Sequence, residues 1–349
     1  MLRINRVDTA ARILVFIGAC GEVPVKLFRD WEGYYDYNRR LVTRLAREGF
    51  LLERKFTGYS REVVRSVHLS AAGLRKVEEL SPAWGKRIRE HRFAPEGGSS
   101  DWKKVLRQHR NAYALLTVRK LGARWVPRRE KASSLGTQLV YFSTYELNRK
   151  YGWDNKGVRA AGILCDTWGR IFFVYFLGSH NMQWNDSVEE GFRSRVVTAM
   201  ESEHYHPAAN LFLGETWLLA ENLARHGANP RTRLIQPVSD VVSYYSATDQ
   251  YGLELLRLIL SRDGVNEFFY FLRKQDLILD YMMTEFLFEL GDLTRFIKRP
   301  KQRFHPRTAC IFDFQQEAME RINDVGAELI SLPGDLLTQF HNYHEQNSG

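Results

Sequence analysis

The sequence predicts an α+β protein built in two parts, and three observations carry that expectation. Between Thr9 and Leu80 the elements follow in the order helix, helix, basic helix, strand, strand, helix. From Ala123 onward the runs are β-branched and aromatic and alternate with helical stretches. The basic charge belongs to one end: residues 1–131 hold 29 Lys+Arg against 14 Asp+Glu, whereas the remaining 218 hold 21 against 27. At 349 residues the chain suits two domains better than one. No apolar run approaches the ~20 uncharged residues of a membrane span, and the first residues lack the apolar core of a signal peptide. A cytoplasmic protein without a membrane partner is expected. Cys20, Cys165 and Cys310 are odd in number, far apart and in apolar contexts, which reads as buried reduced thiols rather than a disulfide framework or a zinc cluster.

The N-terminal elements are justified one by one. Ile13, Leu14, Phe16 and Ile17 recur at helical spacing, with Gly18 and Gly21 bracketing the stop. VPVKLFRDW, with Pro24 at an early position, predicts a second helix ending near Gly33. The third helix spans about Tyr35 to Glu48: Leu41, Val42 and Leu45 share one face, while Tyr37, Arg39, Arg40, Thr43, Arg44 and Arg47 point elsewhere. Gly49 ends it. FLLERKF and REVVRSVHL then read as two strands joined at a turn containing Gly58, and Ser70 caps a helix over SAAGLRKVEEL.

This order, and the cadence RLAREGFLLERK, resembles winged helix-turn-helix DNA-binding domains. A helix in the major groove needs exposed polar and guanidinium groups, because Arg pairs bidentately with guanine while other cations hold phosphates. Tyr37, Arg39, Arg40, Thr43, Arg44 and Arg47 are the expected groove-facing residues, and Arg54, Lys55, Arg61 and Arg65 the expected hairpin or backbone contacts. Basic clusters such as KRIREHR and WKKVLRQHR add a single-sign field that attracts a polyanion.

Pro95, Gly97, Gly98, Ser99 and Ser100 mark a linker at 92–101, separating a winged helix domain (1–91) from an α/β domain (102–349). WKKVLRQHRNAYALLTVRKLG is a basic helix that either extends a DNA footprint or packs as the first helix of the second domain. ARWVPRR, TQLVYFSTYEL, GVRAAGILCD and RIFFVYFLG read as strands, the last two joined by TWG. Helices are expected at SVEEGFRSRVVTAM, ETWLLAENLARHG and YGLELLRLILSR, and strands at RLIQPVSDVVSYYS, FFYFLR, DYMMTEFLFEL and TACIFDF. Helix, three strands, helix, strand is the topology of restriction-endonuclease-like folds.

A winged helix followed by RAAGILCDTWGRIFFVYFLGSHNMQW resembles the replication-relaxation proteins of plasmids and integrative conjugative elements, up to about residue 250. The resemblance implies a second domain related to that nuclease fold, whose active members place an acid at one hairpin strand and an acid-x-Lys on the next to hold Mg²⁺. Here Asp166 sits at the turn, but Phe173, Val174, Tyr175 and Phe176 occupy the second strand, so an inactive scaffold is expected, with no catalytic residue, metal or cofactor assigned. Asn181, Gln183, Trp184 and Arg193 form a family-like polar and aromatic patch.

A different chemistry is suggested by His204 and His206 with Tyr244 and Tyr245 downstream, the constellation of nickases in which paired histidines hold a metal and a tyrosine attacks a phosphodiester. Pro207 places that pair in a loop. The expected partners are double-stranded DNA and, by the resemblance, proteins of a replication or transfer complex, with a homodimer left open. A metal-dependent endonuclease or nickase and a protein–protein adaptor are the alternative functions.

Overall fold

The computed structural model describes residues 2–57, 63–90, 102–125, 139–154, 157–178, 185–221, 223, 242–247, 250–261, 263–275, 277, 284–287, 293, 296–297, 308–323 and 326–347. These form a mixed α/β protein whose chain divides into two compact units, Met1–Leu116 with Trp125–Ser134, and Thr117–Arg124 with Leu135–Gly349. The expected linker at 92–101 lies outside the described residues.

In the first unit, α1 (Leu2–Cys20) buries Ile13, Leu14, Phe16 and Ile17, as their spacing predicts. It ends at Cys20, between Gly18 and Gly21, as expected. A Cβ on Gly18 would lie 2.5 Å from Ile88 Cδ1 and 2.6 Å from Leu69 Cδ1, so this glycine serves close packing, while Gly21, just past the last helical residue, has a φ of 86° that only glycine adopts freely. The expected second helix is present in shorter form. Glu22–Pro24 is a strand, β1, and Pro24 caps a 3-10 helix over Val25–Arg29 that ends before Gly33. β1 pairs antiparallel with a later strand through Glu22↔His68 and Pro24↔Ser66, and as an edge strand it tolerates a proline that cannot donate to the ladder.

The remaining elements follow the expected order. α2 spans Tyr35–Arg47, β2 Leu51–Thr57 and β3 Val63–Leu69, the two strands pairing antiparallel from Leu51↔Leu69 to Thr57↔Val63. Ser70 Oγ accepts from Gly73 N at 3.0 Å and starts α3 (Ala71–Leu80), and α4 covers Pro82–Glu90. α5 (Trp102–Lys120) is buried on consecutive positions, Ala114, Leu115, Leu116, Thr117 and Val118, which is the pattern of a packing helix and not of a one-sided basic face.

The second unit is built on a sheet in which β4 (Arg124–Trp125), β5 (Val140–Ser143), β6 (Gly162–Cys165), β7 (Arg170–Gly178), β8 (His206–Gly214) and β9 (Val242–Ala247) lie in sequence order. The pairs β5–β6 and β6–β7 are antiparallel, whereas β7–β8 and β8–β9 are parallel. The run TQLVYFSTYEL splits: Ser143 and Glu146 form a capping box, so the chain turns from β5 into α6 (Thr144–Tyr151). α7 (Asp186–Glu201) connects β7 to β8, the long crossover that a parallel pair needs. β7 is buried from Ile171 to Leu177 without alternation, as befits a strand covered on both faces.

After α8 (Gln250–Leu260), FFYFLR is helical and not a strand. It belongs to α9 (Gly264–Lys274), where Phe268, Phe271 and Leu272 share the buried stripe at i, i+3, i+4. A separate parallel sheet of β10 (Thr284–Phe286), β11 (Thr308–Phe312) and β12 (Glu328–Leu332) carries α10 (Gln316–Ile322) and α11 (Asp335–Asn347). Phe268 packs there against Phe312 in a tilted arrangement and against Phe340 edge to face, at 5.8 and 5.3 Å between ring centroids. All three cysteines are buried free thiols.

Candidate nucleic-acid interface

α2 separates its side chains by chemistry. Asn38, Leu41, Val42 and Leu45 are buried, and Asp36, Arg39, Arg40, Thr43, Arg44 and Arg47 are exposed. Asn38 secures the helix start by donating from Nδ2 to Glu32 O at 3.1 Å. Tyr37 is half-buried at the border of the two faces. Arg39 lies over the Tyr35 ring at 5.9 Å, with Arg29 over the same ring at 5.6 Å. Thr43 donates its hydroxyl to Arg39 O at 2.9 Å, a bond back to its own helix. Arg44 pairs with Glu48 at 3.4 Å in an exposed i,i+4 arrangement. Among the described residues Arg40 and Arg47 make no ion pair.

The hairpin distributes its cations unequally. Lys55 and Arg65 stand directly opposite one another across β2 and β3, and both are exposed. Like charges in that position repel, so the pair lowers hairpin stability in the absence of an anion. Part of this repulsion is relieved by Glu53, which accepts from Arg65 Nε at 2.8 Å; that hydrogen bond holds its carboxyl below the usual range. Arg54 faces the other way. Its guanidinium reaches buried Glu22 at 2.9 Å, while Glu22 also accepts from the buried Ser66 hydroxyl. It therefore anchors β2 to β1 rather than projecting as an outer contact. Arg61 lies outside the described residues.

Below the hairpin, His68 on β3 and His109 on α5 are both buried. Burial pushes the His68 imidazole below its ordinary value, partly offset by the nearby Glu22 carboxylate. His109 is pushed down to about 3 by burial and by the charges of Lys26 and Arg54. Unfolded histidine takes up a proton near 6.5, so between that value and about 3 the unfolded chain binds more protons than the folded one. Stability is complete above pH 6.5 and falls as the pH drops. Going from pH 7 to pH 5 is expected to cost the first unit about 2 kcal/mol from His109, with His68 acting in the same direction. Urea melts of the chain at the two pH values measure this, and an unchanged midpoint for the N-terminal transition contradicts it.

The second unit does not assemble the sequence-suggested chemistry. Asp166 is buried at the β6–β7 turn: Oδ1 accepts from Trp168 N and Arg170 N, each at 2.9 Å, and Oδ2 pairs with Arg170 Nε at 2.5 Å. Both oxygens are engaged in closing the hairpin. A cavity of about 240 Å³ beside it is lined by Leu121, Leu139, Asp166, Thr167, Trp168, Arg257, Leu260 and Ser261, so Asp166 is its one carboxylate, and that carboxylate is already held by Arg170. Two other carboxylates have structural partners. Glu146 caps α6, and buried Glu189 accepts from Arg159 N and the Tyr175 hydroxyl, its own carboxyl raised by burial. Arg193 is buried and donates to Asn210 Oδ1 at 3.2 Å, whereas Asn181, Gln183 and Trp184 lie outside the described residues. No group of three or more His, Cys, Asp or Glu able to hold a metal occurs among the described residues.

His204 and His206 are exposed around the start of β8, and His204 takes a φ of 64°. Tyr244 pairs in register with Leu211, five residues along β8 from His206, which at the rise of an extended strand is roughly 16 Å away. The metal pair and the nucleophile of a nickase are therefore not brought together. Glu22, which ties β1 to Arg54 and Ser66, carries no local signal in the sequence.

Among the described residues no helix is long and apolar enough to cross a membrane. No protein-family model, curated protein or solved structure matches this chain.

Proposed function

We propose that this chain is a DNA-binding protein whose first unit is a winged helix-turn-helix, with α2 as the helix that enters the major groove of double-stranded DNA. The observation that carries this reading is the outward face of α2, where Arg39, Arg40, Arg44 and Arg47 stand exposed over a buried stripe of Leu41, Val42 and Leu45. Lys55 and Arg65 supply a second cationic contact whose mutual repulsion a phosphate would remove. The second unit is read as a nuclease-like scaffold. Support comes from the order α5, β5, β6, β7, α7, β8, in which α6 is inserted after the first strand, and from the structural engagement of Asp166. The resemblance to replication-relaxation proteins supports a role in replication, transfer or transcriptional control of a mobile element.

Fluorescence anisotropy of the full chain with duplex DNA flanking its own gene, in a salt series, tests the reading. With four to six cations on phosphates, affinity is expected to fall on the order of a hundredfold or more between 50 and 200 mM salt. Supercoiled plasmid incubated with the chain and Mg²⁺ is expected to stay uncut. Duplex binding that is absent or indifferent to salt overturns the DNA-binding assignment, and nicking overturns the scaffold assignment.

A further inference from the structure

The outward face of α2 has an order as well as a charge. At about 100° per residue, Asp36, Arg40, Thr43 and Arg47, spaced i, i+4, i+7 and i+11, line one ridge opposite the buried stripe, and all four are exposed. Arg39 and Arg44 flank this ridge. In a helix lying in the major groove, the ridge farthest from the domain core goes deepest and meets base edges, while the flanks meet phosphates.

The first ridge residue has the wrong sign for a phosphate-binding surface. Asp36 sits one turn before Arg40 and three residues before Arg39, both within reach of an intrahelical ion pair, yet among the described residues it makes none. An unpaired carboxylate carried into the groove is repelled by phosphates on both sides. It is tolerated where a base amino group meets it, and the cytosine N4 amino group is the major-groove donor that Asp and Glu accept from. The favourable position of an acid in the first turn of a helix accounts for its effect on the helix, not for its place on the ridge.

We infer that Asp36 is a specificity-determining residue, accepting a hydrogen bond from cytosine N4, with Arg40 paired to a guanine about two base pairs away. The separation follows from the helix rise, which puts residues four apart about 6 Å along the groove, close to two steps of about 3.4 Å. The inference rests on the DNA-binding reading above. It adds a base identity which that reading lacks.

Selection from a randomised duplex library by the full-length chain tests it, using the wild type, Asp36→Ala and Asp36→Asn. The wild type is expected to enrich cytosine at one position by about tenfold. Asp36→Ala should lose the preference at that position alone while binding scrambled duplex more tightly. Asp36→Asn should shift the same position toward adenine, whose N6 and N7 an amide pairs with. A merely structural role for Asp36 cannot produce that shift. Identical preferences in all three proteins, with affinity changing uniformly, overturn the inference and leave the DNA-binding reading standing. A wild type that retains no duplex above background overturns both.

Discussion

Replacing Arg40 and Arg44 together by alanine is expected to lower affinity for the cognate duplex a hundredfold or more while leaving the fold intact. A guanidinium that pairs bidentately with guanine, as proposed for Arg40, contributes roughly 1–3 kcal/mol of discrimination, and Arg44 on the flank adds a phosphate contact, so losing both removes about two factors of ten. The folded chain loses little by comparison. Arg40 makes no ion pair among the described residues, and the Arg44–Glu48 pair at 3.4 Å is exposed, a class of interaction contributing about 0.3–0.5 kcal/mol. Alanine also has the better helix propensity. Anisotropy titrations with cognate and scrambled duplexes, beside thermal melts, separate the two effects. Unchanged cognate affinity in a normally folded variant removes α2 from the groove, and a large fall in melting temperature shows that these arginines hold the fold instead.

The second large effect is on stability and lies at Glu22. This carboxylate is 2% exposed and holds both Arg54 and the buried hydroxyl of Ser66, linking β1, β2 and β3 in one polar contact. Glu22→Ala takes the carboxylate away from the Arg54 guanidinium and the acceptor away from the Ser66 hydroxyl. Breaking one side of a buried pair costs about 3–5 kcal/mol. Because the Arg54 side chain is 28% exposed and can still reach water, the lower end is expected, about 3 kcal/mol, or more than 10 °C in the melting of a unit this small. Glu22→Leu combined with Arg54→Leu should be less damaging than Glu22→Ala, since no charge then remains unpaired. Differential scanning calorimetry of the three proteins decides this. A Glu22→Ala chain that melts within 2–3 °C of the wild type shows that solvent has taken over the pairing.

Next to Glu22 the helix is shorter than its sequence predicts. VPVKLFRDW yields only a 3-10 helix over Val25–Arg29, because the residues before it have a competing partner. The partner is β3, more than forty residues later in the chain, and pairing with it turns Glu22–Pro24 into a strand. FFYFLR fails similarly, since its aromatic content favours a strand, but Phe268, Phe271 and Leu272 fit a helical stripe against Phe312 and Phe340, which only the folded chain supplies. Gly18 and Gly21 do bracket the end of α1, but that Gly18 must be glycine because Ile88 and Leu69 press against it is visible only in the folded chain.

What the sequence determined by itself is the set of properties that depend on spacing within a few residues. The buried and exposed sides of α2, the β2–β3 hairpin, the Ser70 cap and the strands flanking Asp166 were all legible because helix period, strand alternation and capping chemistry act over a turn or two. What only the tertiary structure decided is which charges remain available. Arg54 and Lys55 are adjacent in sequence and equally basic, yet one is anchored to Glu22 and the other stands exposed opposite Arg65. Asp166 is an acid at a hairpin turn in either view, but its engagement with Arg170 and two backbone amides is visible only once the turn is closed. The reason is physical: a charged group's role is set by the partners within a few ångströms, and burial and strand register bring those partners from distant parts of the chain.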